Sequence, residues 1–267
     1  HHSRACKLAQ EKKLEILRVA AGGEEHVFVQ GKSGTERRGI IPSLLQTLLT
    51  ARRKTKKLMK TEKDAFKKEL LNGRQLALKI VCNSVYGFFG VHTGFLPCWP
   101  VSAVTTTIGR DLIYLSRDSV LQKYDCQVIY GDTDSIMICF KNVPKTMEGM
   151  RQAWRLGSEA ADYLTNTVFG DMQEIIMEME KISWPYIIWD RKKRYVARVF
   201  MHPEKSPKHD GKGTELVRRD TCTLLQDLYR ELMKIIMPLE TETVKSIEQI
   251  HAETQGHIAR YFHRILE

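Results

Sequence analysis

At 267 residues, 42% hydrophobic and 28% charged, the chain is long enough for one large domain or two modest ones and has an ordinary globular composition. No run of eighteen apolar residues is present, and the opening His1-His2-Ser3-Arg4 has no apolar stretch, which argues against a spanning helix and a secretory leader. Forty-two Lys and Arg against 32 acids give a net charge of +10, which suits a polyanionic partner and equally a basic protein without one.

The first segment predicts a helix over Leu8 to Val19, followed by a loop or hairpin excursion around Gly22-Gly23 and Gly31 to Gly34. A second helix starts at Pro42, with Leu44, Leu45, Leu48 and Leu49 as its apolar face and Arg52 to Lys57 as a basic end. Thr61 reads as the N-cap of a third, with Asp64 in its first turn and an end near Val85, and Gly73 weakens it by about 1 kcal/mol against Ala. These last two form an antiparallel αα-hairpin. Further on come a helix from Ser102 to Tyr124, short strands at Gln127–Tyr130 and Ser135–Phe140, and a helix from Lys145 to Asn166. Strand-like runs follow at Glu174–Glu180, Tyr186–Trp189 and Tyr195–Phe200, then helices from about Thr223. The order implies an α+β fold.

The six cysteines (Cys6, Cys82, Cys98, Cys126, Cys139 and Cys222) contain no C-x-x-C pair. That spacing excludes a zinc ribbon and a dense disulfide framework and fits a reducing compartment. The absence of an initiator Met suggests a fragment or a processed chain.

The chemistry concentrates in Tyr130-Gly131-Asp132-Thr133-Asp134-Ser135. Carboxylates at i and i+2 of an extended chain share a face, and here they sit at a hairpin tip. Rigidly held hard oxygens with open positions are what Mg²⁺ needs to serve phosphoryl transfer. A bare D-x-D is more often a solvated Asx turn, and the flanking Tyr-Gly and Ser between two apolar strands reverse that reading. On the third helix Lys79, Asn83 and Tyr86 fall at i, i+4 and i+7, placing a cation, an amide and a ring on one face, suited to a triphosphate beside a base pair. That face alone also fits a solvated lysine with Tyr86 in the core. Arg52 and Lys56, at i and i+4 on the preceding helix, can converge with Lys79 on one anionic site.

The string from Tyr130 to Ser135 closely resembles the metal-binding motif of B-family DNA polymerases, and Lys79-x-x-x-Asn83-Ser84-x-Tyr86-Gly87 resembles the same family's fingers helix. Asp190-Arg191-Lys192-Lys193-Arg194-Tyr195 is similar to its K-K-R-Y strand near the primer terminus. Glu178-Met179-Glu180-Lys181 resembles the acidic palm strand. Lys212-Gly213 and Val217-Arg218-Arg219-Asp220 resemble the palm-to-thumb junction. The resemblance is continuous from Gly39 to Asp220 and is of delta type, eukaryotic or viral.

It implies a palm sheet with helical-hairpin fingers and the start of a helical thumb, divided as 1–38 (a segment joining palm to fingers), 39–87 (fingers), 88–205 (palm) and 206–267 (thumb start). It implies Asp134 and Asp132 as catalytic metal ligands, with Glu180 near the metals or in an ion pair with a nearby Lys. Arg52, Lys56, Lys79, Asn83 and Tyr86 are the implied nucleotide-binding residues. Gly87, Lys192, Lys193, Arg194, Tyr195, Lys212, Arg218 and Arg219 are the implied DNA-binding residues, with Lys193 and Tyr195 on the DNA side of the strand. Two Mg²⁺ ions, primer–template DNA, deoxynucleoside triphosphates and replication accessory proteins are the implied cofactor and partners. The implied place is the nucleus or a viral replication compartment. One departure matters: no D-F-x-S-L-Y-P-S strand occurs in these 267 residues. The expectation is therefore template-directed DNA synthesis by a longer parent chain, with little or none from this piece alone. The competing class is a non-catalytic DNA- or nucleotide-binding module with a degenerate polymerase site.

Overall fold

The structure is a computed structural model that describes residues 15–30, 39–172, 174–238 and 245–266. It mixes helices and strands and divides into two compact units, His1–Leu112 and Ile113–Glu267. No described helix is long and apolar enough to cross a membrane.

In the first unit, β1 (Glu15–Ala21) and β2 (Glu24–Gln30) form an antiparallel pair. Gly22 and Gly23 make the turn with φ of 63° and 86°, a left-handed pair that only glycine adopts freely. The helix expected over Leu8 to Val19 is thus a strand from Glu15 onward, and its earlier part lies outside the described residues. The hairpin turn wins locally because it pairs the whole backbone of Glu15–Ala21. Val19, Ala21 and Phe28 then pack on Ala103, Val104 and Ile108 of α3 (Trp99–Lys123).

The αα-hairpin is α1 (Ile40–Thr61) and α2 (Ala65–Gly90). The cap of α2 is Asp64, whose carboxylate accepts from the Lys67 N–H at 3.0 Å. Thr61 is drawn the other way, its hydroxyl donating to the Leu58 carbonyl at the end of α1. Gly73 leaves α2 unbroken. The least exposed positions of α1 are Ile41, Leu45, Leu48, Ala51, Arg52, Thr55 and Met59. Those of α2 are Leu71, Gln75, Leu78, Cys82, Val85, Phe89 and the terminal Gly90. Both sets follow the i, i+3, i+4 rhythm of a helix–helix seam.

In the second unit, β3 (Cys126–Asp132) and β4 (Ser135–Phe140) pair antiparallel, with a bulge between Val128 and Tyr130. The N-cap of α4 (Met147–Tyr163) is Thr146, which accepts from the Gly149 N–H, and a π-helical turn, Leu164–Val168, closes it. A three-stranded antiparallel sheet runs in the order β5 (Ile182–Ile188), β6 (Tyr195–Phe200), β7 (Lys208–Lys212). Every residue of β6 is buried, as a central strand covered on both faces requires. Val196 packs with Met233 and Met237 at the end of α5 (Thr223–Ile236). The last helix is α6 (Ile247–Leu266), whose Tyr261 hydroxyl donates to the Leu224 carbonyl of α5.

The run Glu174–Glu180 is not a strand. Its described residues do alternate in exposure, but the Met177 N–H bonds the Thr165 hydroxyl at 2.8 Å rather than a neighbouring strand. Lys208–Lys212 was not expected as a strand because it contains no apolar residue. Backbone pairing with β6 makes it one.

Candidate active site

Asp132 ends β3 opposite Ser135, leaving Thr133 and Asp134 as a two-residue turn. Thr133 stands at φ 57°, an uncommon left-handed conformation for a β-branched residue. The Asp134 N–H donates to the Asp132 carbonyl at 2.6 Å, and the Ser135 hydroxyl donates to the same oxygen at 3.2 Å. The chain between the carboxylates is therefore not extended, and the i, i+2 rule does not place them on one face. Their surroundings differ instead. Asp134 is exposed at the apex, whereas the Asp132 side chain is 11% exposed.

Two lysines hold Asp132. Lys212 Nζ lies 3.0 Å from Oδ2, Lys193 Nζ lies 3.3 Å from Oδ1, and the Thr133 hydroxyl donates to Oδ1 at 3.0 Å. Burial works to raise the pKa of this carboxyl. The hydrogen bonds from Lys212, Thr133 and Lys193 outweigh burial and hold it below the usual carboxylate range. In turn, the hydrogen bond to Asp132 pushes Lys212 up.

The lysines arrive by backbone geometry. Residues 189–194 form the tight link between β5 and β6, closed by a 3.0 Å bond from the Trp189 N–H to the Arg194 carbonyl. The K-K-R stretch is thus turn rather than strand, with Lys193 at φ 60°. Its N–H donates to the Tyr130 hydroxyl at 3.0 Å. Gly213, at φ 65°, lies against that turn so closely that a Cβ would sit 2.3 Å from the Lys193 carbonyl oxygen. Beneath, the Tyr195 ring packs on Tyr130 and Tyr186 at centroid distances of 6.1 and 5.3 Å. Burial, then the neighbouring Tyr195 and Tyr130, pushes the Tyr186 hydroxyl up to about 12.

The other implied DNA contacts scatter in environment. Tyr195 is buried, so its ring serves this aromatic cluster. Arg194 pairs with Glu215 at 2.5 Å, and Arg218 pairs with Asp220. Lys192, Arg219 and Gly87 are exposed. Glu180 is exposed, and it is its neighbour Lys181 that makes an ion pair, 2.6 Å from Asp210.

Among the described residues no three His, Cys, Asp or Glu side chains cluster to hold a metal. Two carboxylates at a hairpin tip nevertheless fit Mg²⁺, which takes one or two carboxylates and completes its shell with water and substrate phosphates. Asp134 is the open donor, with no ion pair among the described residues. Asp132 would have to release its lysines.

On the αα-hairpin, Lys56, Lys79, Asn83 and Tyr86 are exposed, while Arg52 lies in the seam with its Nε unpartnered. At ~100° per residue, Lys79, Asn83 and Tyr86 stand about 60–120° from the middle of the α2 seam. Arg52 and Lys56 stand about 20° and 60° from the middle of the α1 seam in the same rotational sense. In an antiparallel pair those senses open on one flank, so all five positions share it. Gln75, whose Oε1 is also buried without a partner, lies in the facing seam.

The motifs did not reveal that Lys193 meets Tyr130 or that Lys212 meets Asp132. The contacts join residues 63 and 80 positions apart, and only the odd glycine after Lys212 hinted at them.

The family model for DNA polymerase family B matches residues 1–267. The DNA polymerase delta catalytic subunit of Candida albicans is 44% identical over 209 residues, covering 75% of this chain and 19% of that protein. Its counterpart in Dictyostelium discoideum is 37% identical over 260 residues, covering 93% and 22%. The chain spans about a fifth of the length of these relatives. The family B DNA polymerase of the archaeon Pyrobaculum calidifontis superposes with a TM-score of 0.60 at 21% identity, over 92% of this chain and 28% of that one, a likeness of fold.

Proposed function

Because the chain belongs to DNA polymerase family B, we propose that it supplies the fingers and palm of a delta-type replicative polymerase that extends a primer on a DNA template. The observation that carries this reading is the hairpin tip, where Asp134 stands open while Asp132 is held by Lys193 and Lys212. Asp134 would be the leading Mg²⁺ ligand, and Asp132 a weaker one because Lys193 and Lys212 already occupy its carboxylate. Bound there, the ions would polarise the primer 3′ hydroxyl and neutralise charge on the triphosphate.

The flank bearing Arg52, Lys56 and Lys79 suits the triphosphate itself, as a fork-shaped guanidinium beside two mobile point charges. Asn83 and Tyr86 on the same face suit the base and sugar. Lys192, Arg218 and Arg219 serve the duplex backbone without reading sequence. On this reading the chain divides into 1–38 (a segment joining palm to fingers), 39–87 (fingers), 88–205 (palm) and 206–267 (thumb start). Nuclear replication, with accessory proteins, is the setting this reading implies.

The reaction needs another acidic strand, so the 267 residues alone should extend a primer little or not at all. In a polymerase containing that strand, Asp134→Ala should abolish incorporation and leave primer–template affinity within about twofold. A single-turnover assay beside a binding titration checks both, and near-normal turnover in the variant would sink the metal assignment.

A further inference from the structure

The hairpin that carries the nucleotide flank also has a tip, formed by the end of α1, the link at residues 62–64 and the start of α2. Between Arg52 and Lys68 there are nine Lys and Arg against two acids, so seventeen residues hold seven of the chain's ten net positive charges. Neither acid is directed at a lysine or arginine. The Glu62 carboxylate accepts from the backbone N–H groups of Lys63 and Asp64, and the Asp64 carboxylate caps α2. Among the described residues no ion pair joins any of the nine to an acid.

The arrangement works against local stability. α2 has no acid in its first turn, where the helix dipole favours one, and begins Ala65-Phe66-Lys67-Lys68. Among these cations Phe66 is 74% exposed and Leu70, one turn on, is 67% exposed. Neither lies in the α1 seam. A cluster of unpaired cations around an exposed ring is poor design for a free surface and good design for a single-stranded nucleic acid, whose phosphates meet the charge while a base stacks on the ring. A duplex would use the charge and leave the ring idle.

We propose that the tip of the α1–α2 hairpin binds single-stranded DNA, with Lys60, Lys63, Lys67 and Lys68 on phosphates and Phe66 stacked on a base. The proposal needs only the hairpin, so it is separable from the polymerising reaction. In a polymerase the natural occupant is unpaired template.

The test uses the whole 267-residue chain and a fluorescent oligothymidylate followed by anisotropy, with circular dichroism to check helix content. Lys63→Glu/Lys67→Glu/Lys68→Glu should weaken binding at least tenfold, and the log–log salt slope should fall by about 0.7 for each phosphate no longer neutralised. Phe66→Ala should weaken oligothymidylate binding about tenfold, a base–aromatic stacking effect, and leave heparin binding unchanged. Parent-like binding by the triple variant overturns the proposal. So does a Phe66→Ala variant that binds oligothymidylate like the parent, or one whose affinities for heparin and DNA fall equally. Photocross-linking of the unaltered chain to a strand carrying 5-iodouracil reads the same contact without any substitution. Adducts on Phe66 or its flanking lysines support the site, and adducts confined to other segments overturn it.

Discussion

Asp132 and Asp134 are two positions apart and chemically identical, yet the fold gives them different surroundings. One carboxylate is enclosed by Lys193, Lys212 and Thr133, and the other faces solvent. The difference has a consequence in pH. The folded pKa of Asp132 is lowered, because its hydrogen bonds outweigh burial. Its ion pairs therefore stabilise the fold above the ordinary carboxylate pKa of about 3.9, and that stabilisation is lost as pH falls through the lower folded value. Both lysines are more than half exposed, so solvent screening limits the contribution to about 1 kcal/mol. Asp132→Asn should accordingly lower Tm at neutral pH, and the gap to the parent should close as pH drops below the carboxylate range. A gap that stays constant through that range would show that the ion pairs contribute nothing.

Elements here are positioned by a few backbone conformations. The β5–β6 link and the residues after β7 meet where Gly213 lies against Lys193, and this approach aims both lysines at Asp132. Any Cβ at Gly213 meets the Lys193 carbonyl oxygen in a φ region that L side chains avoid. Gly213→Ala should therefore destabilise the second unit by more than about 1 kcal/mol. Gly73→Ala offers the contrasting case, since Gly73 is helical and open on all sides. It should stabilise α2 by up to about 1 kcal/mol. Denaturant midpoints of the two variants should move in opposite directions, and equal shifts would show that the close approach is unimportant.

For the molecule as a whole, the charge of +10 is unevenly spread, with the αα-hairpin tip holding most of the excess, while Lys192, Arg218 and Arg219 are further exposed cations. Exposed cations of this kind act on phosphates without reading bases. Duplex binding should be largely independent of sequence and should fall steeply with salt, with a log–log slope of about 0.9 per phosphate contact. A titration across ionic strengths with two unrelated duplexes measures both properties. Salt-insensitive affinity would mean that the basic surface is not the DNA-binding surface.

The amino-acid sequence by itself determined the family and most of the elements, because the signals are local. Tyr130 to Ser135 names its hairpin, Lys79 to Gly87 names a helix face, and 3.6-residue periodicity sets α1 to α6. It erred where a local pattern lacked its partner or gained one. Glu174–Glu180 alternates like a strand but has no ladder, Lys208–Lys212 has no strand pattern but is paired by β6, and Thr61 gave up its capping role to Asp64. The pairings around the hairpin tip were decided only by the tertiary structure. Lys193 and Lys212 close on Asp132 across 61 and 80 positions, and Tyr195 turns into the aromatic cluster rather than outward. Spacing along a chain reports which residues share an element. Which charges meet depends on left-handed turns and glycine contacts between elements, and these have no periodic signature.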